Sequence, residues 1–130
     1  MSFLKRLVPV KAELILDYQN EDISAAHRLK GNVRIESEDT LSVEQVLLKV
    51  TVQEERRTSN KVDVYPPLYS KDINIGESFA ATMGVKRDFP FEIEIPDYDA
   101  THGGAIWTYV KAVAKLKGRP DLIKNKNYIR

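Results

Sequence analysis

Apolar and polar residues alternate with a period of two along most of the chain, which is the pattern of strands with one buried and one wet face. Val8, Val10, Ala12, Leu14 and Leu16 alternate with Pro9, Lys11, Glu13 and Ile15, and Pro9 places the start of that strand at a sheet edge. Tyr18 to Ala26 is polar and small and reads as a turn or loop. Leu29, Gly31, Val33 and Ile35 then alternate with Lys30, Asn32, Arg34 and Glu36. After a turn at Ser37 to Ser42, Val46, Leu48, Val50 and Val52 face one way and Leu47, Lys49, Thr51 and Gln53 the other. Glu54 to Lys61 reads as an exposed connection whose charges serve solubility. Val62 and Val64 open a short strand that Pro66-Pro67 stops, because proline has no N–H to give a ladder. Ile73, Ile75 and Phe79 to Val85 read as one or two short strands, with a helical turn over Glu77 to Met83 as the alternative. Phe89, Phe91, Ile93 and Ile95 against Pro90, Glu92 and Glu94 give the cleanest alternation, closed by Pro96. A loop of turn formers follows, ending in Gly103-Gly104.

Ile106 to Lys117 supports two periods. Alanine, lysine and the following Gly118 suit a helix. A helical stripe, however, would turn Lys117 inward and leave Trp107 and Leu116 out, and the other strands would lack a central partner. The segment is therefore read as a strand with Ile106, Thr108, Val110, Ala112, Ala114 and Leu116 inside and Trp107, Tyr109, Lys111, Val113, Lys115 and Lys117 outside. A last weak strand lies in Leu122 to Ile129, around Tyr128 and Ile129. Seven to nine short strands with turns at this spacing predict an all-β fold, a two-sheet antiparallel immunoglobulin-like sandwich over residues 1–130 as a single domain.

Length and composition narrow the function. At 130 residues the chain is long enough to bury a core without staples. It has no cysteine, which removes disulfides, thiolate zinc sites and thiol nucleophiles and suits a reducing compartment, so a cytoplasmic location is expected. The opening residues Met1 to Leu7 have too short an apolar run for a signal peptide, and no stretch approaches the ~20 apolar residues of a membrane span. Net charge is +1 but unevenly spread: residues 1–110 carry 13 basic and 18 acidic side chains, residues 111–130 carry 7 and 1. The basic tail (Lys111, Lys115, Lys117, Arg119, Lys124, Lys126, Arg130) could attract an anionic partner, although such runs are usually solvated faces.

The order of these segments, with Leu29-Lys-Gly-Asn-Val-Arg-Ile35, Val46-Leu-Leu-Lys-Val-Thr-Val52, Phe89-Pro-Phe-Glu-Ile-Glu-Ile-Pro96 and Trp107-Thr-Tyr-Val-Lys-Ala-Val113, resembles one lobe of the arrestin fold. Within that clan it is most similar to the sporulation-control proteins of bacteria and archaea, whose amino terminus is similar to Met1-Ser-Phe-Leu-Lys-Arg-Leu7. The resemblance implies a cytosolic, non-catalytic domain that engages other proteins, an adaptor or regulatory scaffold. Two features depart from the family. It pairs two such lobes where this chain has room for one, and its Pro-Gly ahead of the second strand is replaced by Ala25-Ala26-His27-Arg28. No phosphate-sensing residue of the arrestins is matched here.

Tests for chemistry are mostly negative, and no catalytic residue, metal ligand set or cofactor is assigned. Asp97, Asp99 and His102 lie within six residues, but such residues also populate turns for backbone reasons and the calcium-loop pattern is absent. With only His27 and His102, zinc would need carboxylates to complete its shell. No Gly-x-Ser-x-Gly surrounds Ser70 or Ser78. Glu92 and Glu94 sit roughly 7 Å apart on one strand face, a spacing two-carboxylate glycosidases use and solubility alone also predicts. Gly103-Gly104 lacks the lysine of a phosphate loop. Trp107 and Tyr109 beside Lys111 and Lys115 form an aromatic and basic strip able to stack sugars or the bases of a single strand. The main expectation is a protein partner, engaged through Trp107, Tyr109, Lys111, Lys115, Tyr128 and Ile129, with self-association through edge strands as one form of it. Carbohydrate or single-stranded nucleic acid is the alternative ligand class, and a membrane surface or nucleic acid is less expected than a protein partner.

Overall fold

In the computed structural model, residues 11–18, 28–81, 84 and 86–129 are described, with Tyr18, Ala81 and 126–129 described by their backbone. Nine strands run in chain order: β1 (Ala12–Tyr18), β2 (Arg28–Ser37), β3 (Leu41–Arg57), β4 (Val62–Val64), β5 (Tyr69–Gly76), β6 (Phe79–Ala81), β7 (Lys86–Glu94), β8 (Ala105–Leu116) and β9 (Leu122–Ile129). They form two antiparallel sheets. One has the order β1-β2-β7; the other follows β4-β3-β8-β9, with β5 and β6 also paired to β3. No helix among the described residues is long and apolar enough to cross a membrane.

The alternation explains the layers. Leu14, Leu16, Leu29, Val33, Ile35, Phe89, Phe91 and Ile93 from the first sheet meet Val46, Leu48, Val50, Val52, Ile106, Val110, Ala112, Ala114 and Leu116 from the second in one buried cluster. Each of these strands puts every second residue inside, as the pleat requires. β7 is the last strand of its sheet, which is where Pro90 is tolerated.

The second sheet is organised on β3. Its 17 residues are long enough to pair with β8 along one side and with β6, β5 and β4 in succession along the other. Ile106 to Lys117 is a strand, since Ala105–Leu116 lies between β3 and β9 as the central partner that the rest of the sheet needs. Leu122–Ile129 is likewise a strand, and Phe79–Ala81 is extended rather than helical.

Other expectations need correction or fall outside view. Of Glu54 to Lys61 only Thr58 to Lys61 is an exposed connection: β3 continues to Arg57, and Glu54 and Glu55 are 2% and 3% exposed. Tyr18 belongs to β1 rather than to a turn. Leu47 and Val113 are buried although they point to the outer side of their sheet, where they face one another in register. The predicted features over residues 1–10, 19–27, 82–83, 85 and 130 lie outside the described residues.

Candidate functional site

The chemistry-bearing side chains gather at the end of the β3-β8 pair. Glu54 continues the inward parity of Val46, Leu48, Val50 and Val52, so the pleat carries a carboxylate into the core. Such a group needs donors. The β7–β8 loop supplies them: Thr101 N–H donates to Glu54 Oε1 at 2.8 Å, His102 N–H to Oε2 at 2.8 Å and Gly104 N–H to Oε2 at 2.9 Å. Burial pushes the Glu54 carboxyl up, but these backbone donors and the nearby His102 outweigh it and hold the group below its ordinary 4.5. Gly104 permits the approach, because a Cβ there would lie 2.5 Å from the Glu55 carbonyl oxygen and 3.1 Å from Glu54 Oε2. The His102 ring stacks on Tyr65 at 4.0 Å between centroids, which pins the loop to the segment after β4.

On the outer face of the same strand, Gln53, Glu55 and Arg57 follow one another two residues apart. Glu55 accepts from Gln53 Nε2 at 2.8 Å, from Arg57 Nη2 at 3.0 Å and from the Tyr109 hydroxyl. Burial again pushes the carboxyl up, and Tyr109, Gln53 and Arg57 hold it below 4.5. The same burial, with Glu55 beside it, raises the Tyr109 phenol above 10.0. The Arg57 guanidinium lies 4.0 Å over the Trp107 ring, and Trp107 stacks with Tyr109 at 6.2 Å. The cluster borders an open groove of about 460 Å³ between Arg56, Arg57, Thr58, Gly103, Gly104 and Trp107.

Trp107, Tyr109, Lys111 and Lys115 therefore share one strand and one face, as the alternation requires, but they do not act alike. The two rings are half-buried and engaged by Arg57 and Glu55. Lys111 and Lys115 are exposed, with Val113 buried between them, and Lys111 stands directly opposite Lys49, which pairs with Asp72 at 3.7 Å. Tyr128 and Ile129 lie in β9 in register with Thr108 and Trp107. Glu92 and Glu94 both bind Arg28, at 2.8 and 3.4 Å. No group of three His, Asp or Glu among the described residues is placed to hold a metal ion.

Sequence reasoning missed the Glu54 and Glu55 cradles. The signal was present: Glu54 has the parity of the buried valines, and a carboxylate in that phase implies a set of donors. The donors to Glu54 are backbone groups about 50 residues away, which no pattern of residue types marks, and those to Glu55 include the Tyr109 hydroxyl from another strand.

These strands and their pairing define a two-sheet antiparallel β-sandwich. No family model matches the sequence, and no curated protein matches it. Among solved structures the chain is similar to Spo0M, the sporulation control protein of Bacillus subtilis, with a TM-score of 0.68 and 14% sequence identity over 94% of this chain and 49% of that one. At such identity the likeness shows the fold. This chain spans about half the length of that relative.

Proposed function

We propose that the chain is a non-catalytic protein-interaction module that takes its partner as an added strand along β9. The observation that carries this reading is the edge itself. β9 pairs with β8 through Trp107↔Ile129 to Ala114↔Leu122, and among the described residues no strand pairs with its other side. β1 passes close to β9 without joining its ladder. An open row of N–H and C=O groups is a template for another chain, with main-chain bonds giving affinity and alternate side chains giving specificity.

Charge favours a different protein over a second copy. Antiparallel self-addition would bring Lys124-Asn125-Lys126 against its own counterpart, and like charges opposite each other destabilise a pair. A regulatory role accords with the fold shared with a sporulation control protein, and a non-catalytic one with the use of Glu54, Glu55 and Tyr109 as structural ties.

The test compares proteins captured from an extract of the source cells by the parent, by a chain ending at Lys126, and by Trp107→Ala. Capture lost on truncation and kept in Trp107→Ala is expected. The reverse pattern would move the interface from the edge to the outer face of β8.

A further inference from the structure

Three of the four large apolar side chains exposed among the described residues cluster around Pro66-Pro67: Val62 at 51%, Val64 at 58% and Leu68 at 40%. The backbone there is built outward. Val64 pairs with Glu55 and Tyr69 with Val52, so four residues, Tyr65 to Leu68, run opposite only Gln53 and Glu54. The surplus forms a crest, and both prolines are exposed on it.

The crest is held at both feet. Tyr65 N–H donates to the Glu54 carbonyl at 3.1 Å and Leu68 N–H to the Val52 carbonyl at 2.8 Å. The Tyr65 ring stacks on His102, and Tyr69 packs against the core. Between these anchors the conformation follows from residue chemistry. Each proline fixes its own φ near −65°, and a residue before proline is confined to the extended or polyproline II region. Tyr65 precedes Pro66 and Pro66 precedes Pro67, so Tyr65 is held extended or in polyproline II form and Pro66 in polyproline II form, without N–H groups at two successive positions, before the chain bends at Leu68. An added strand finds no donors there. A groove that reads ring faces finds a ready-made ligand whose ordering cost is already met by the fold.

We infer that the Val64 to Leu68 crest is a docking site for a partner carrying an aromatic-lined, polyproline-reading groove. This surface is separate from the β9 edge and stands or falls independently of it. The exposed prolines would lie between the partner's aromatic rings, with Leu68 and Val64 against its rim. Tyr69 is half-buried against the core and is left out of the proposed contact.

The test titrates the isotope-labelled full chain with an isolated WW domain, a module with such a groove. Saturable amide shifts confined to Val64, Tyr65, Leu68 and their β3 neighbours are expected. Pro67→Ala should weaken binding at least tenfold while the remaining amide spectrum stays that of the folded chain, and Leu68→Ala should weaken it less. A chain ending at Lys126 should bind unchanged, which separates this surface from β9. Absence of saturable shifts at millimolar concentration, equal affinity in Pro67→Ala, or shifts centred on β9 or on Trp107 would overturn the inference. So would loss of self-association in Pro67→Ala without any response to the WW domain, since the crest would then serve a second copy of the chain.

Discussion

Replacing Gly31 by alanine tests how closely the first sheet is packed. Gly31 lies in the middle of β2, directly opposite Phe91 on β7 and Tyr18 on β1. A Cβ built there would stand 2.3 Å from the Asp17 carbonyl oxygen and 2.9 Å from Phe91 Cζ. Both distances are below any ordinary contact, and the first is to backbone fixed by the β1-β2 ladder. Overpacking of this kind costs about 1–3 kcal/mol. The lower entropy of the unfolded alanine chain returns about 0.4–1 kcal/mol. Because the nearer clash is with backbone, the cost falls in the upper half of its range, the net loss should be about 1–2.5 kcal/mol, and at roughly 4 °C per kcal/mol for a chain of this length the Tm should fall by ~4–10 °C. Differential scanning calorimetry with urea unfolding gives both quantities. Adding Phe91→Leu removes Cζ, so the double variant should lie about 1 kcal/mol above the sum of the singles. An alanine variant as stable as the parent, or strict additivity with Phe91→Leu, would refute the packing argument.

Leu48→Ala, at a side chain fully buried between the sheets, should cost about 2–5 kcal/mol in urea unfolding. Glu54 and Glu55 both titrate below their ordinary 4.5 in the fold, so their contribution is complete above that value and drains away as pH falls through their folded range. Thermal melts between pH 2 and 7 should show that acid limb, and Glu54→Gln should flatten it while lowering Tm at neutral pH, because one amide group must face the donors of the loop. Tyr109 has the opposite sign: its raised phenol favours folding below pH 10.0, with the advantage lost as pH rises further, and Tyr109→Phe should shrink the alkaline limb. With Trp107 covered by Arg57 and stacked on Tyr109, its fluorescence should not change with micromolar oligosaccharide or single-stranded DNA. Quenching at those levels would restore the strip as a ligand site.

The architecture was legible because pleated strands with one buried face write themselves as alternation, and Phe89 to Ile95 and Leu48 to Gln53 do so without interruption. Ile106 to Lys117 was ambiguous locally, since alanine and lysine favour helix. It was decided by the demand of β3 and β9 for a strand between them, a tertiary constraint acting over propensity. The exposed reading of Glu54 and Glu55 came from treating charge as a sign of solvent. Their burial depends on amides of Thr101, His102 and Gly104 and on the Tyr109 hydroxyl, groups brought near only by the β3-β8 pairing. Trp107 and Tyr109 were placed on the right strand and face, while their engagement by Arg57 and Glu55 depends on reach along the strands that alternation does not encode.

The edge account is tested most directly inside the cell. A photo-crosslinking amino acid is placed at Asn125, an exposed position in β9, and in parallel chains at Lys115 on the outer face of β8. After irradiation, the adducts are identified by mass spectrometry. Adducts to one protein from position 125, absent from 115 and mapping to an extended segment of the partner, are the predicted result. Adducts from 115 alone would contradict strand addition at β9.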